Sequence, residues 1–141
     1  MKELHFQDKT ILFGTYEELG VHMYNLCFTA VAQDMFNKKV FYIAYDQKFV
    51  ELSPMSQKFL IFHEIGHIVN GDFDKDLETI LNKNTLRSFG VSNKFEFNAD
   101  KFAVKRTSKK VALKCLFEMK CKNIFTSSLD LIQRAIVIIF G

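Results

Sequence analysis

The chain has 141 residues, a formal net charge of +3, 48% hydrophobic residues, 16 phenylalanines, 6 glycines and 1 proline. That is length for one domain, residues 1–141, with a core of its own, and the composition excludes a disordered or collagen-like chain. No stretch approaches the roughly 20 apolar residues that span a bilayer, and so small a net charge without a nucleic-acid motif argues against direct nucleic-acid binding.

Met1–Asp8 lacks the apolar run of a signal peptide. Cys27, Cys115 and Cys121 are odd in number and show no C-x-x-C spacing, so they are expected as reduced, small apolar residues in a cytoplasmic protein. Thr10–Phe13 predicts a short strand. Thr15-Tyr16-Glu17-Glu18 has the form of a capping box, opening a helix expected to run to about Asn37, with Leu19, Met23, Leu26, Cys27, Ala30, Val31 and Met35 at helical spacing. Lys38–Ala44, aromatic and β-branched, predicts a second strand, and Asp46-Gln47-Lys48 a turn.

Ser53-Pro54 then pairs an N-cap residue with proline at the first helical position, and Asn70-Gly71 supplies the stop. Beyond it, Asp72, Asp74 and Asp76 have the spacing that opens an EF-hand loop. Leu77 stands where that loop requires glycine and Lys83 where it requires glutamate, so the calcium reading fails. Glu78–Lys83 is expected as a short helix, 82–93 as a polar loop, and Glu96–Ala103 as helical. Ser108–Lys120 predicts a further helix, and Ser127-Ser128-Leu129-Asp130 caps a last one ending near Phe140. Lys101–Lys122 holds eight basic residues against the single acid Glu118, read as a solvated face. The expected fold class is α+β: mostly helical, with a short sheet preceding the Ser53–Asn70 helix.

Within that helix His63-Glu64-Ile65-Gly66-His67 reads H-E-x-x-H. With four histidines and eight glutamates in 141 residues, chance places the pattern about 0.006 times per chain. Histidines four apart on a helix are rotated by only about 40°, so both rings project from one face and can share a metal. Glu64 lies about 100° further round, where a carboxylate reaches water activated by the metal and can act as general base. Phe59, Leu60, Phe62, Ile65, Ile68 and Val69 make the helix apolar nearly all round. Buried there, the two histidines and the glutamate need a partner, and a metal is the simplest one. Gly66 is disfavoured by about 1 kcal/mol in a helix interior, which predicts a second backbone close by.

A catalytic zinc needs a third protein ligand and an open position. Glu96-x-x-Ala99-Asp100-x-Phe102-Ala103 offers Glu96 as that ligand, on a helix whose Ala99 and Ala103 permit close approach. Asp100, one turn on, is placed to accept the free ring N–H of a ligating histidine.

These two motifs, with Glu96 following His67 by 29 residues, resemble the gluzincin metallopeptidases, in particular the compact ImmA/IrrE-type peptidases of bacteria, phages and mobile elements. Phe41 to about Leu116 carries the likeness, from the strand Val40–Tyr45 to the second motif. The resemblance implies one zinc per chain held by His63, His67 and Glu96, with Glu64 as general base. It further implies a protein or peptide substrate, often a repressor of a mobile element. Tyr42, Tyr45 and His22 are the candidates for donating to a developing oxyanion. If Val40–Tyr45 is a sheet edge beside the cleft, an extended substrate pairs with it. The alternative function is a non-catalytic zinc-binding protein of the same fold that acts by binding a partner. Oligomeric state is not legible in the sequence, and zinc follows from ligand type, since nitrogen–oxygen sites also accept other divalent ions.

Overall fold

In the computed structural model the chain starts in a β-hairpin: β1 (Lys2–Phe6) runs antiparallel to β2 (Lys9–Thr15), closing with Phe6 opposite Lys9. Gln7 takes φ 56° in the intervening turn. The structure describes residues 1–20, 28–35, 38–71, 91–124 and 128–141. The expected strand at Thr10–Phe13 is the middle of β2, whereas β1 was not expected. Its Lys-Glu-Leu-His-Phe carries little apolar alternation, and pairing with β2 makes it a strand.

The capping box is present: Thr15 Oγ1 accepts from the Glu18 N–H, and Glu18 accepts from the Thr15 N–H. The helix it opens, α1 (Tyr16–Leu19), lasts one turn and is not the helix expected to reach Asn37. Gly20 takes φ 66° and closes it with the left-handed cap that glycine adopts at least cost. Phe28–Met35 is instead strand β3, antiparallel to β4 (Lys38–Tyr45), from Phe28 opposite Tyr45 to Met35 opposite Lys38. Ladder hydrogen bonds to β4 override the helical spacing of Ala30, Val31 and Met35, a contest that local periodicity does not register.

The sheet order is β1-β2-β4-β3, with β2 and β4 parallel from Ile11 opposite Phe41 to Thr15 opposite Tyr45. β4 therefore lies inside the sheet, and Val40–Tyr45 is not an edge that a substrate could extend. Asp46 ends it by capping a one-turn helix, α2 (Gln47–Val50), where a plain turn was expected.

Helix α3 (Pro54–Val69) follows. Ser53 caps it, Pro54 opens it, and Gly71 beyond its end takes φ 72°, all as the sequence predicts. Glu118 adds a cap from a distant helix: its carboxylate accepts from Ser53 N–H at 2.6 Å, Ser53 Oγ at 2.9 Å and Ser56 Oγ at 2.6 Å. Burial raises the Glu118 pKa, but these hydrogen bonds outweigh it and hold the carboxyl below its ordinary range. A carboxylate at a helix N-terminus also opposes the positive end of the helix dipole.

Ile65 and Ile68 of α3 pack on Ile11, Phe41 and Ile43 of the sheet. Phe59 and Leu60 pack among the remaining helices, α4 (Val91–Arg106), α5 (Lys109–Cys121) and α6 (Ser128–Phe140). The molecule is thus α+β, with the H-E-x-x-H helix between the sheet and a helical layer. Cys115 is buried, with its thiol pushed up to about 12 by that burial, and Cys121 is exposed; both are free. Among the described residues no helix is long and apolar enough to cross a membrane. His22, Cys27, Asp72, Asp74 and Asp76, and the helix expected at 78–83, lie outside the described residues, as does most of the expected 82–93 loop, whose end at 91–93 is already α4.

Gly66 meets α4 directly, as its helix-disfavouring character predicts. A Cβ there would stand 3.2 Å from Ala99 Cα and 3.1 Å from Phe102 Cβ. Neither atom is the end of a flexible side chain, so the helices must part to admit it. Crowding of this kind costs about 1–3 kcal/mol against the roughly 1 kcal/mol that alanine recovers in helix propensity, a net loss centred on about 1 kcal/mol. Gly66→Ala is therefore expected to lower the thermal midpoint by about 2–4 °C. An unchanged or raised midpoint in calorimetry would show that this approach is not a constraint.

Candidate metal centre

On α3 the i, i+4 spacing places His63 and His67 edge to face, ring centroids 4.8 Å apart, with their Nε2 atoms separated by 3.2 Å. Both side chains are buried. Helix α4 delivers Glu96 across the Gly66–Ala99 contact. Its Oε2 lies 3.0 Å from His63 Nε2 and its Oε1 3.3 Å from His67 Nε2. One ligand atom from each of the three falls within 4.8 Å of the others, so His63, His67 and Glu96 form a group that can hold a metal ion. Glu96 retains 36% side-chain exposure, against 4% and 8% for the histidines, so solvent reaches the group on the glutamate side.

Asp100, one helical turn after Glu96 and fully buried, takes up the other nitrogen of His63: Nδ1 to Oδ1 is 2.7 Å. With Nδ1–H donating to a carboxylate, the Nε2 lone pair is the one that faces the group, the tautomer a metal ligand requires. Asp100 is itself held by Arg134 of α6. Arg134 Nε donates to Oδ2 at 2.8 Å and Nη2 to Oδ1 at 2.7 Å, the two-pronged grip that matches guanidinium to carboxylate. Arg134 is only 8% exposed.

The charges follow from this enclosure. Burial opposes a charged His63, but the carboxylates of Asp100 and Glu96 outweigh it and raise the imidazole pKa above 6.5. Burial likewise raises Glu96, yet hydrogen bonds and charge from the two histidines hold it well below 4.5. Asp100 is pushed up by burial and brought below 3.8 by the Arg134 and His63 charges. Arg134, pulled down by burial, is raised more strongly by Asp100 and stays charged. A buried carboxylate this well paired is stable where an isolated one would not be.

The donor set suits a zinc-sized ion. Two imidazole nitrogens and a carboxylate are a recurrent catalytic zinc trio, and tetrahedral bonds of about 2.0–2.1 Å put two nitrogens about 3.3 Å apart, close to the separation across the histidines. Glu64, next to His63 in the sequence, is buried. Of the oxyanion candidates, Tyr42 alternates with Phe41 and Ile43, placing it on the sheet face away from α3. The Tyr45 ring packs 4.8 Å from Phe13 and 5.2 Å from Phe49, a core role.

Arg134 escaped the sequence reading. Its signal was present: Leu131, Arg134, Ala135 and Ile138 share one helical face at i, i+3, i+4 and i+7, so a lone arginine interrupts an apolar stripe. The chain matches no protein-family model, no curated protein and no solved structure at a significant level.

These shifts set a pH dependence for the metal-free protein. His63, with its pKa raised on folding, contributes stability that is fully present below 6.5 and lost as pH rises through the raised value. Glu96 and Asp100, with theirs lowered, contribute above 4.5 and 3.8 and lose that contribution as pH falls through the lowered values. In thermal unfolding of chelator-treated protein, the stability gap between wild type and His63→Gln is expected to narrow as pH rises above 6.5. A gap that widens with pH contradicts this account of the site.

Proposed function

We propose that this protein is a zinc-dependent endopeptidase of the compact gluzincin type, acting on one or a few intracellular proteins. The observation that carries the reading is the convergence of both Nε2 atoms and the Glu96 carboxylate from two helices. The resemblance of the two motifs to ImmA/IrrE-type peptidases supports the same reading, and with it a repressor of a mobile element as the kind of substrate to test.

Each residue has a distinct task. His63, His67 and Glu96 hold the ion, Glu96 cancelling part of its charge. Asp100 keeps the His63 ring in the ligating tautomer. When bound, zinc supplies Lewis acidity, lowering the pKa of a water to about 7 and polarising the scissile carbonyl. Glu64 accepts a proton as the water oxygen bonds to the carbonyl carbon, and returns it to the departing amine as the C–N bond breaks. Its burial keeps bulk water from competing for that proton and strengthens its field at the reacting atoms.

Elemental analysis should find one zinc per chain in wild type, with the metal lost in His63→Ala and in Glu96→Ala. Glu64→Gln should keep its zinc and lose peptidase activity by about 10²-fold to 10⁴-fold or more. A zinc-loaded Glu64→Gln as active as wild type contradicts the catalytic assignment. A wild type that cleaves nothing while its zinc is required for holding a partner protein supports a binding role instead.

A further inference from the structure

Arg134 has no place in the reaction described above, yet its guanidinium is buried against the site from a third helix. It reaches Asp100 through two parallel hydrogen bonds, and Asp100 reaches His63 through one. We infer that Arg134 is a positioning residue of the metal centre, fixing the plane of the Asp100 carboxylate so that Oδ1 holds His63 in the ligating orientation. The inference rests on the metal-site reading and extends it to α6.

The argument is one of remaining freedom. The terminal torsion of an aspartate is broad, so a carboxylate bonded only to an imidazole can turn about its own axis and carry the ring with it. A guanidinium bound to both oxygens removes that rotation, because its planar fork defines the plane of the carboxylate. Nη2 and His63 Nδ1 share Oδ1, while Nε occupies Oδ2, so Asp100 is held in a pose in which its nearer oxygen serves the histidine. Leu131 and Ile138, on the same face of α6, are buried in the helical core and anchor the helix that carries the arginine. The ring that binds the metal is thereby set by packing three helices away from the H-E-x-x-H turn in sequence.

A merely structural ion pair between α4 and α6 makes a different prediction, and zinc affinity measured by chelator competition separates the two. Arg134→Met is expected to weaken zinc binding by about 10-fold to 100-fold. In long-range nitrogen–proton spectra of the metal-free protein, recorded at a pH above the raised His63 pKa where the ring is neutral, it should also turn a single His63 tautomer into a mixture. Arg134→Lys, which keeps the charge but gives up the fork, should show an intermediate loss and carries the comparison if the methionine variant does not fold. On an Asp100→Asn background, Arg134→Met should weaken binding little further, since its effect passes through Asp100. A folded Arg134→Met or Arg134→Lys with wild-type affinity and a single His63 tautomer overturns the inference alone. So does a loss that multiplies undiminished on the Asp100→Asn background. A wild type that takes up no zinc overturns the metal centre itself, and this inference with it.

Discussion

Where α3 and α4 touch, Gly66 presents no side chain and Ala99 only a methyl, and a Cβ on Gly66 would stand only 3.2 Å from Ala99 Cα. Everything that converges on the histidines depends on that approach. Glutamate is a short tether: from a helix held further off by larger residues, its carboxylate would stop short of both Nε2 atoms. Instead each oxygen of Glu96 lies beside a different histidine, and Asp100, one turn later on the same face, reaches the back of His63. Two helices in close contact thus supply three groups that can hold a metal ion and the carboxylate that pairs with one of them.

The same closeness creates an electrostatic problem that the third helix resolves. Asp100 is fully buried, and a carboxylate so placed is tolerated only with a charge partner and filled hydrogen-bonding capacity. Arg134 meets both needs, and His63 uses what remains of Oδ1. Charge therefore alternates from α6 inward: guanidinium, carboxylate, imidazole, carboxylate. Removal of any one member takes a buried charge partner from its neighbours, so the site is coupled to the helical core as well as to the turn that carries its motif.

The far end of α3 is tied down by similar means. Glu118 of α5 takes up the backbone and hydroxyl of Ser53 and the hydroxyl of Ser56, so the helix bearing both histidines is capped by a charged group from elsewhere in the chain. In the sequence Glu118 is only the lone acid in a basic stretch. Its role could not be read there, because capping by a residue more than sixty positions away leaves no local spacing. Arg134 is an intermediate case, since an arginine on an apolar stripe announces a buried partner without naming it. The failure at Phe28–Met35 has another cause: alanine, glutamine and methionine suit a helix, and only the neighbouring β4 makes the segment a strand.

What the chain determines by itself is what short-range geometry determines. The ends of α3 follow from Ser53, Pro54 and Gly71, whose conformational preferences are intrinsic. The shared face of His63 and His67 follows from the helical repeat, and the pairing of Glu96 with Asp100 follows in the same way. The close approach at Gly66 was likewise legible, because a glycine disfavoured in mid-helix asks for a reason. Tertiary structure decided the rest: which faces met, that β4 lies within the sheet, and that Arg134 and Glu118 complete the two ends of the arrangement. These are pairings between residues far apart in the chain. Their free energy arises from desolvation and charge in a shared interior, which no window of sequence contains.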